Sequence, residues 1–111
     1  MRHSVVILIP YFGPWPEWTP LFFETVRRNS SIDFLVVADQ EIPGSRPPNV
    51  ELREMSFDDY SAFINRHIEI EAVPPDPYKL CDFRPLFGHI HRKDFEGYDF
   101  YGWCDLDLLF G

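Results

Sequence analysis

The chain alternates fully apolar runs with breaker-rich segments, and the period of each run predicts an element. Ser4-Val5-Val6-Ile7-Leu8-Ile9 is apolar from Val5 onward and rich in β-branched residues. Such a run predicts a strand buried on both faces, as in the middle of a parallel sheet. Pro10 is expected to stop it, and Tyr11 to Pro16 holds three breakers and reads as a loop. Thr19-Pro20 predicts N-cap and first position of a helix. Trp18, Leu21, Phe22, Thr25 and Val26 recur at helical spacing as its expected buried face. Arg27 and Arg28 suit the negative end of its dipole.

Ile32 to Ala38 predicts a second buried strand, ended by Asp39. A proline-rich loop leads to Val50-Glu51-Leu52-Arg53-Glu54-Met55, whose charge and alternation predict an edge strand. Ser56, with Asp59 three residues on, predicts a capped helix whose inner side carries Phe57, Tyr60, Phe63, Ile64 and His67. A linker with three prolines (71–77) and the segment Tyr78 to Pro85 precede a helix with Leu86, Phe87 and Ile90 inward, ended by Gly97. His89 and His91 are two apart, so they point to different sides and form no metal pair. Phe100 opens a last strand. The predicted order is β-α-β-loop-β-α-linker-α-β. Right-handed crossovers make that a largely parallel, doubly wound α/β sheet of about four strands, one domain over 1–111.

Composition narrows the classes. With 111 residues, 45% hydrophobic and 17% aromatic, the chain is long and apolar enough to bury a core. The formal net charge of −8 argues against a nucleic-acid partner. No apolar run approaches the about 20 residues of a membrane span, and no small-residue cleavage site follows the N-terminus. Cys81 and Cys104, the only cysteines, read as reduced thiols of a cytoplasmic protein.

The candidate chemistry lies in Phe100-Tyr101-Gly102-Trp103-Cys104-Asp105-Leu106-Asp107-Leu108-Leu109-Phe110. Two carboxylates enclosed in an apolar run are costly, and each raises the other's pKa. A hard divalent cation such as Mg²⁺ or Mn²⁺ would relieve both, with substrate phosphate and water completing its shell. The other reading is a strand-end turn with solvated aspartates. In an open α/β sheet a ligand sits outside the carboxyl ends of the strands. That places Tyr11 and Phe12 where they either wall a planar base or pack as core aromatics. It places Asp39 where it either accepts from a ribose or base edge, or caps a turn.

Val6 to Gly13, Asp39, Tyr78-Lys79-Leu80-Cys81-Asp82-Phe83-Arg84-Pro85 and Gly102 to Asp107, in that order, resemble the N-terminal, nucleotide-sugar-binding half of GT-A-type glycosyltransferases. Within these, the chain looks similar to bacterial proteins linked to capsule and cell-surface polysaccharide synthesis. The resemblance covers 4–111 and implies a Rossmann-like fold of the GT-A type. It implies that Pro10, Tyr11, Phe12 and Gly13 cradle the base of a donor such as a UDP-sugar, and that Asp39 binds base or ribose. Lys79, Asp82 and Arg84 would face the diphosphate and sugar. Asp105 would reach ribose or metal, and Asp107 would ligate Mn²⁺ or Mg²⁺. One departure is that Arg84 follows Asp82 by two positions, where the related pattern has three.

The family's second half supplies the acceptor site, a later metal ligand and any base. Because the chain ends at Gly111, the expectation is a donor-binding half, inactive alone, that self-associates through an apolar edge near Leu108-Leu109-Phe110. Two other classes compete. One is a non-catalytic assembly module with the same fold, which should not bind a nucleoside diphosphate in a metal-dependent way. The other is a metal-dependent phosphohydrolase, which needs a nucleophile or a third acidic ligand nearby; Asp99, the only other acid in that strand region, lies at its wrong end.

Overall fold

The computed structural model of the chain describes residues 4–67 and 86–106. Four strands, β1 (Val5–Tyr11), β2 (Ile32–Ala38), β3 (Val50–Glu54) and β4 (Phe100–Trp103), form one sheet in the order β3-β2-β1-β4. All three pairings are parallel. The helices are α1 (Thr19–Arg28), α2 (Phe57–His67), α3 (Phe87–Ile90) and α4 (Arg92–Phe95). The protein is therefore an α/β fold of the doubly wound, Rossmann-like kind. The chain winds one way from β1 to β3, then crosses back beyond β1 to β4. Right-handed crossovers in opposite directions put their helices on opposite faces.

The two-residue period of the strands divides the core accordingly. Ile9, Phe34, Val36 and Ala38 pack with Phe22, Phe23 and Val26 of α1. Val6, Leu8, Leu35 and Val37 pack with Tyr60, Ile64, Phe87, Ile90 and Phe95 of α2, α3 and α4. At the amino end, Asp99 accepts from the Ser4 amide at 2.8 Å and Asp33 accepts from the Tyr98 hydroxyl at 2.7 Å. These bonds fasten the start of β4 to the starts of β1 and β2.

Five expectations are corrected. Pro10 does not stop β1; it pairs with Val37 inside the strand. The Ser4 and Leu8 carbonyls both face β4, so by alternation the Pro10 nitrogen does too. The β4 ladder ends at Trp103, so the proline removes no ladder bond. The N-cap of α1 is Trp18, and Thr19 makes no capping bond. The buried stripe of α1 is Thr19, Phe22, Phe23 and Val26, while Trp18 and Leu21 are 50% and 55% exposed. The true stripe follows i, i+3, i+4, i+7; starting it one residue early turned the predicted face away from the sheet. Leu86 is 41% exposed, not inward. The single helix expected up to Gly97 is two four-residue helices that break at His91, with Gly97 at φ +90° in the turn that follows.

Other readings match the fold. β2 has the predicted bounds, and β3 lies at an edge of the described sheet. Ser56 Oγ accepts from the Asp59 amide at 3.0 Å and starts α2. Arg27 and Arg28 sit in the last turn of α1, where both approach Glu24.

Candidate functional site

Strand order reverses between β1 and β4, and a crevice outside the carboxyl ends of an open α/β sheet forms at such a point. The loop after β1 and the segment after β4 border it. The Trp18 indole N–H donates to the Leu106 carbonyl at 2.9 Å, tying the start of α1 to the segment that carries Asp105. The Cys104 amide donates to the Leu8 carbonyl at 3.2 Å and directs that segment past β1. Asp105 is exposed there.

The loop after β1 is fixed from both sides. Gly13 has φ +105°, a conformation that favours glycine. Its amide donates to both Asp39 carboxylate oxygens, at 3.1 and 3.3 Å. Its carbonyl accepts from the Gln40 side-chain amide. The Tyr11 hydroxyl donates to the Pro14 carbonyl at 2.9 Å, and the Trp15 indole N–H donates to the Glu41 carbonyl at 2.7 Å. The Tyr11 and Trp15 rings stack at 5.1 Å with planes 13° apart.

Alternation along the chain separates the two loop aromatics. Tyr11 packs toward the α1 side. Phe12, one position on, is 8% exposed and packs against Phe57 and Tyr60 on the other. Of the predicted donor-binding residues, Pro10, Tyr11, Gly13 and Asp39 thus gather at the carboxyl ends of β1 and β2, Phe12 is core, and Asp105 lies beyond β4. Asp39 caps the β1 loop, which leaves further lone pairs on its carboxylate for a ligand. Lys79, Asp82, Arg84 and Asp107 lie outside the described residues. Among the described residues no cluster of three His, Cys, Asp or Glu side chains is placed to hold a metal ion. One or two carboxylates suffice for a cation that keeps water and phosphate in its shell, and of the predicted pair Asp105 alone, exposed beyond β4, lies among the described residues.

Sequence reasoning missed Trp15, Gln40 and a polar network on the opposite side of the sheet. There Arg53 of β3 donates to both Asp94 oxygens, at 3.0 and 2.7 Å. His91 Nδ1 contacts Asp94 at 2.8 Å, and His91 Nε2 contacts the Tyr60 hydroxyl at 2.7 Å. Burial would raise the Asp94 carboxyl, but the bonds from Arg53 and His91 outweigh it and hold it below the ordinary range. An ionised Asp94 only accepts, so His91 Nδ1 donates, Nε2 accepts, and the Tyr60 hydroxyl donates. Burial pushes the Tyr60 hydroxyl up and the His91 imidazole down, leaving both neutral near pH 7. The signal in the sequence was His91 with an acid three residues on, at helical spacing.

No helix of the described residues is long and apolar enough to cross a membrane. No curated protein and no solved structure is significantly similar to the chain. A family model does match residues 7–111, and the chain belongs to that family, a family of unknown function (DUF6625).

Proposed function

We propose that the chain is the nucleotide-diphosphate-sugar binding portion of a metal-dependent glycosyltransferase of surface polysaccharide synthesis. The observation that carries this reading is the gathering of Tyr11, Gly13, Asp39 and Asp105 at the carboxyl ends of a parallel sheet, beside the point where strand order reverses. The resemblance to the GT-A donor half, carried by Val6 to Gly13, Asp39, Tyr78 to Pro85 and Gly102 to Asp107, supplies the ligand class.

Each described residue then has a task. Asp39 and Gln40 hold Gly13 so that the loop keeps its shape without a ligand, which reduces the ordering cost of binding. The Tyr11–Trp15 pair gives that loop a stiff aromatic wall suited to a planar base. Asp105, exposed beyond β4, with Asp107, would hold Mn²⁺ or Mg²⁺. A cation held there would neutralise charge on a departing diphosphate. Lys79, Asp82 and Arg84 would face the phosphates and sugar.

A second reading, a non-catalytic assembly module, draws on β4, whose Phe100, Tyr101 and Trp103 are all exposed large aromatics. Calorimetric titration of UDP with Mn²⁺, with EDTA and into Asp107→Ala separates the two. Metal-dependent binding lost in the variant is expected. Absence of binding under every condition would sink the donor-site reading in favour of the module.

A further inference from the structure

His91 occupies the break between α3 and α4, and its backbone belongs to both. Its amide donates to the Phe87 carbonyl at 2.9 Å, and its carbonyl accepts from Asp94 and Phe95 at 2.9 and 3.0 Å. Its side chain is 1% exposed. Among the described residues four aromatic rings surround it: Phe63 at 5.1 Å, Tyr60 at 5.7 Å, Phe95 at 6.0 Å and Phe87 at 6.2 Å. One imidazole thereby links α2 through Tyr60, α4 through Asp94, and β3 through the Arg53 ion pair on Asp94.

We propose that His91 is a proton-operated latch: neutral, it holds α2, α3 and α4 together against the sheet, and charged, it releases them. Protonation puts a hydrogen on Nε2, the atom that accepts from Tyr60. The Tyr60 bond must then reverse, and a full charge must sit inside four aromatic rings.

Among the described residues the charged and titratable neighbours come from three elements. Asp94 of α4 favours the cation. Arg53 of β3 and His67 of α2 oppose it. Tyr60 of α2 is neutral, and Glu51 of β3 approaches Arg53 at 3.8 Å. Burial is the largest influence and opposes the charge, so the imidazole lies below its ordinary value of 6.5. The unfolded chain then binds the proton more readily. The latch contributes its full stability above pH 6.5 and loses it as pH falls from there toward the depressed folded value.

Release has a path toward β4. Phe95 of α4 stacks on Tyr101 at 4.5 Å with planes 10° apart, and Phe87 of α3 meets Trp103 edge-on at 6.0 Å. Loosening α3 and α4 frees the Tyr101 and Trp103 rings of β4, the strand that ends beside Asp105, from Phe95 and Phe87. The proposal is independent of what ligand the carboxyl-end crevice takes.

The test is an acid titration from about pH 8 to about pH 4.5, followed by near-UV and far-UV circular dichroism and by NMR of the histidine rings. The expected result is a cooperative loss of near-UV signal below pH 6.5, with helical signal retained and His91 titrating in the same step. His91→Gln keeps an acceptor but takes no charge, and should move that step down by about one pH unit or more. A variant that loosens at the wild-type pH overturns the proposal. If His91→Gln does not fold, the wild-type NMR decides alone: His91 titrating with Phe95 and Tyr101 resonances unchanged overturns it equally.

Discussion

The two faces of the sheet are held in different ways. The α1 face is closed by one ten-residue helix whose Phe22, Phe23 and Val26 meet Ile9, Phe34 and Val36. Its named core contacts are apolar. The opposite face is closed by α2 and by two four-residue helices, and through its core runs the chain Arg53–Asp94–His91–Tyr60. A helix of three turns presents enough apolar stripe to fix itself by packing. A helix of four residues does not, and its position is specified by directional bonds. The price is sensitivity to pH, because those bonds depend on which groups are charged.

The largest test of that contrast is Phe22→Ala. The side chain is fully buried against two strands, and its loss should cost about 3–5 kcal/mol in urea unfolding. The cost should be the same at neutral and mildly acidic pH, since among the described residues the buried members of that cluster carry no histidine, carboxylate or other ionisable side chain. A cost that changes with pH would break the distinction between the faces.

Asp94→Ala comes next. It leaves the Arg53 guanidinium and the His91 Nδ1–H without their acceptor. Arg53 is partly exposed and water can solvate it, so the expected cost is about 2–3 kcal/mol, at the lower end for a broken buried pair. Asp94 also titrates in its own window. Its folded carboxyl lies below the ordinary 3.8, so its contribution is present above that value and lost as pH falls through the folded one. Unfolding midpoints should therefore show an acid step below about pH 4 in the wild type, beyond the histidine step, and Asp94→Ala should lack it. A persistent step would assign it to other carboxylates.

The same contrast explains what could be read in the sequence. β1 and β2 were legible because runs such as Phe34-Leu35-Val36-Val37 are apolar on both faces, and only central strands need that. The cap at Ser56 was legible because it is local. The face of α1 was misjudged because Trp18 and Leu21 are as hydrophobic as Phe22 and Phe23, and period alone cannot tell an exposed apolar residue from an inward one. The break at His91 was hidden because its reason is tertiary: Tyr60 lies 31 residues away and Arg53 lies 41 residues from Asp94. At the candidate site, the tips of the strands placed Asp39 and Asp105 from topology alone. The clamp of Asp39 and Gln40 on Gly13 depends on two loops meeting, and no spacing within either loop announces it.

The smallest effect should come from Ser56→Ala. Ser56 Oγ satisfies one of the four orphan amides at the start of α2, and that bond is exposed to water that can replace it. Asp58 and Asp59 still complement the helix dipole in the first turn, and Tyr60 and Ile64 still anchor the helix on the sheet. The expected cost is about 1 kcal/mol, read as a shift in urea midpoint with unchanged slope, and Ser56→Asp should recover most of it. Because α2 carries Tyr60, this variant also measures how far the polar face relies on its own helices. A cost well above that of Asp94→Ala would mean that the start of α2, and not the His91 network, is what holds this face to the sheet.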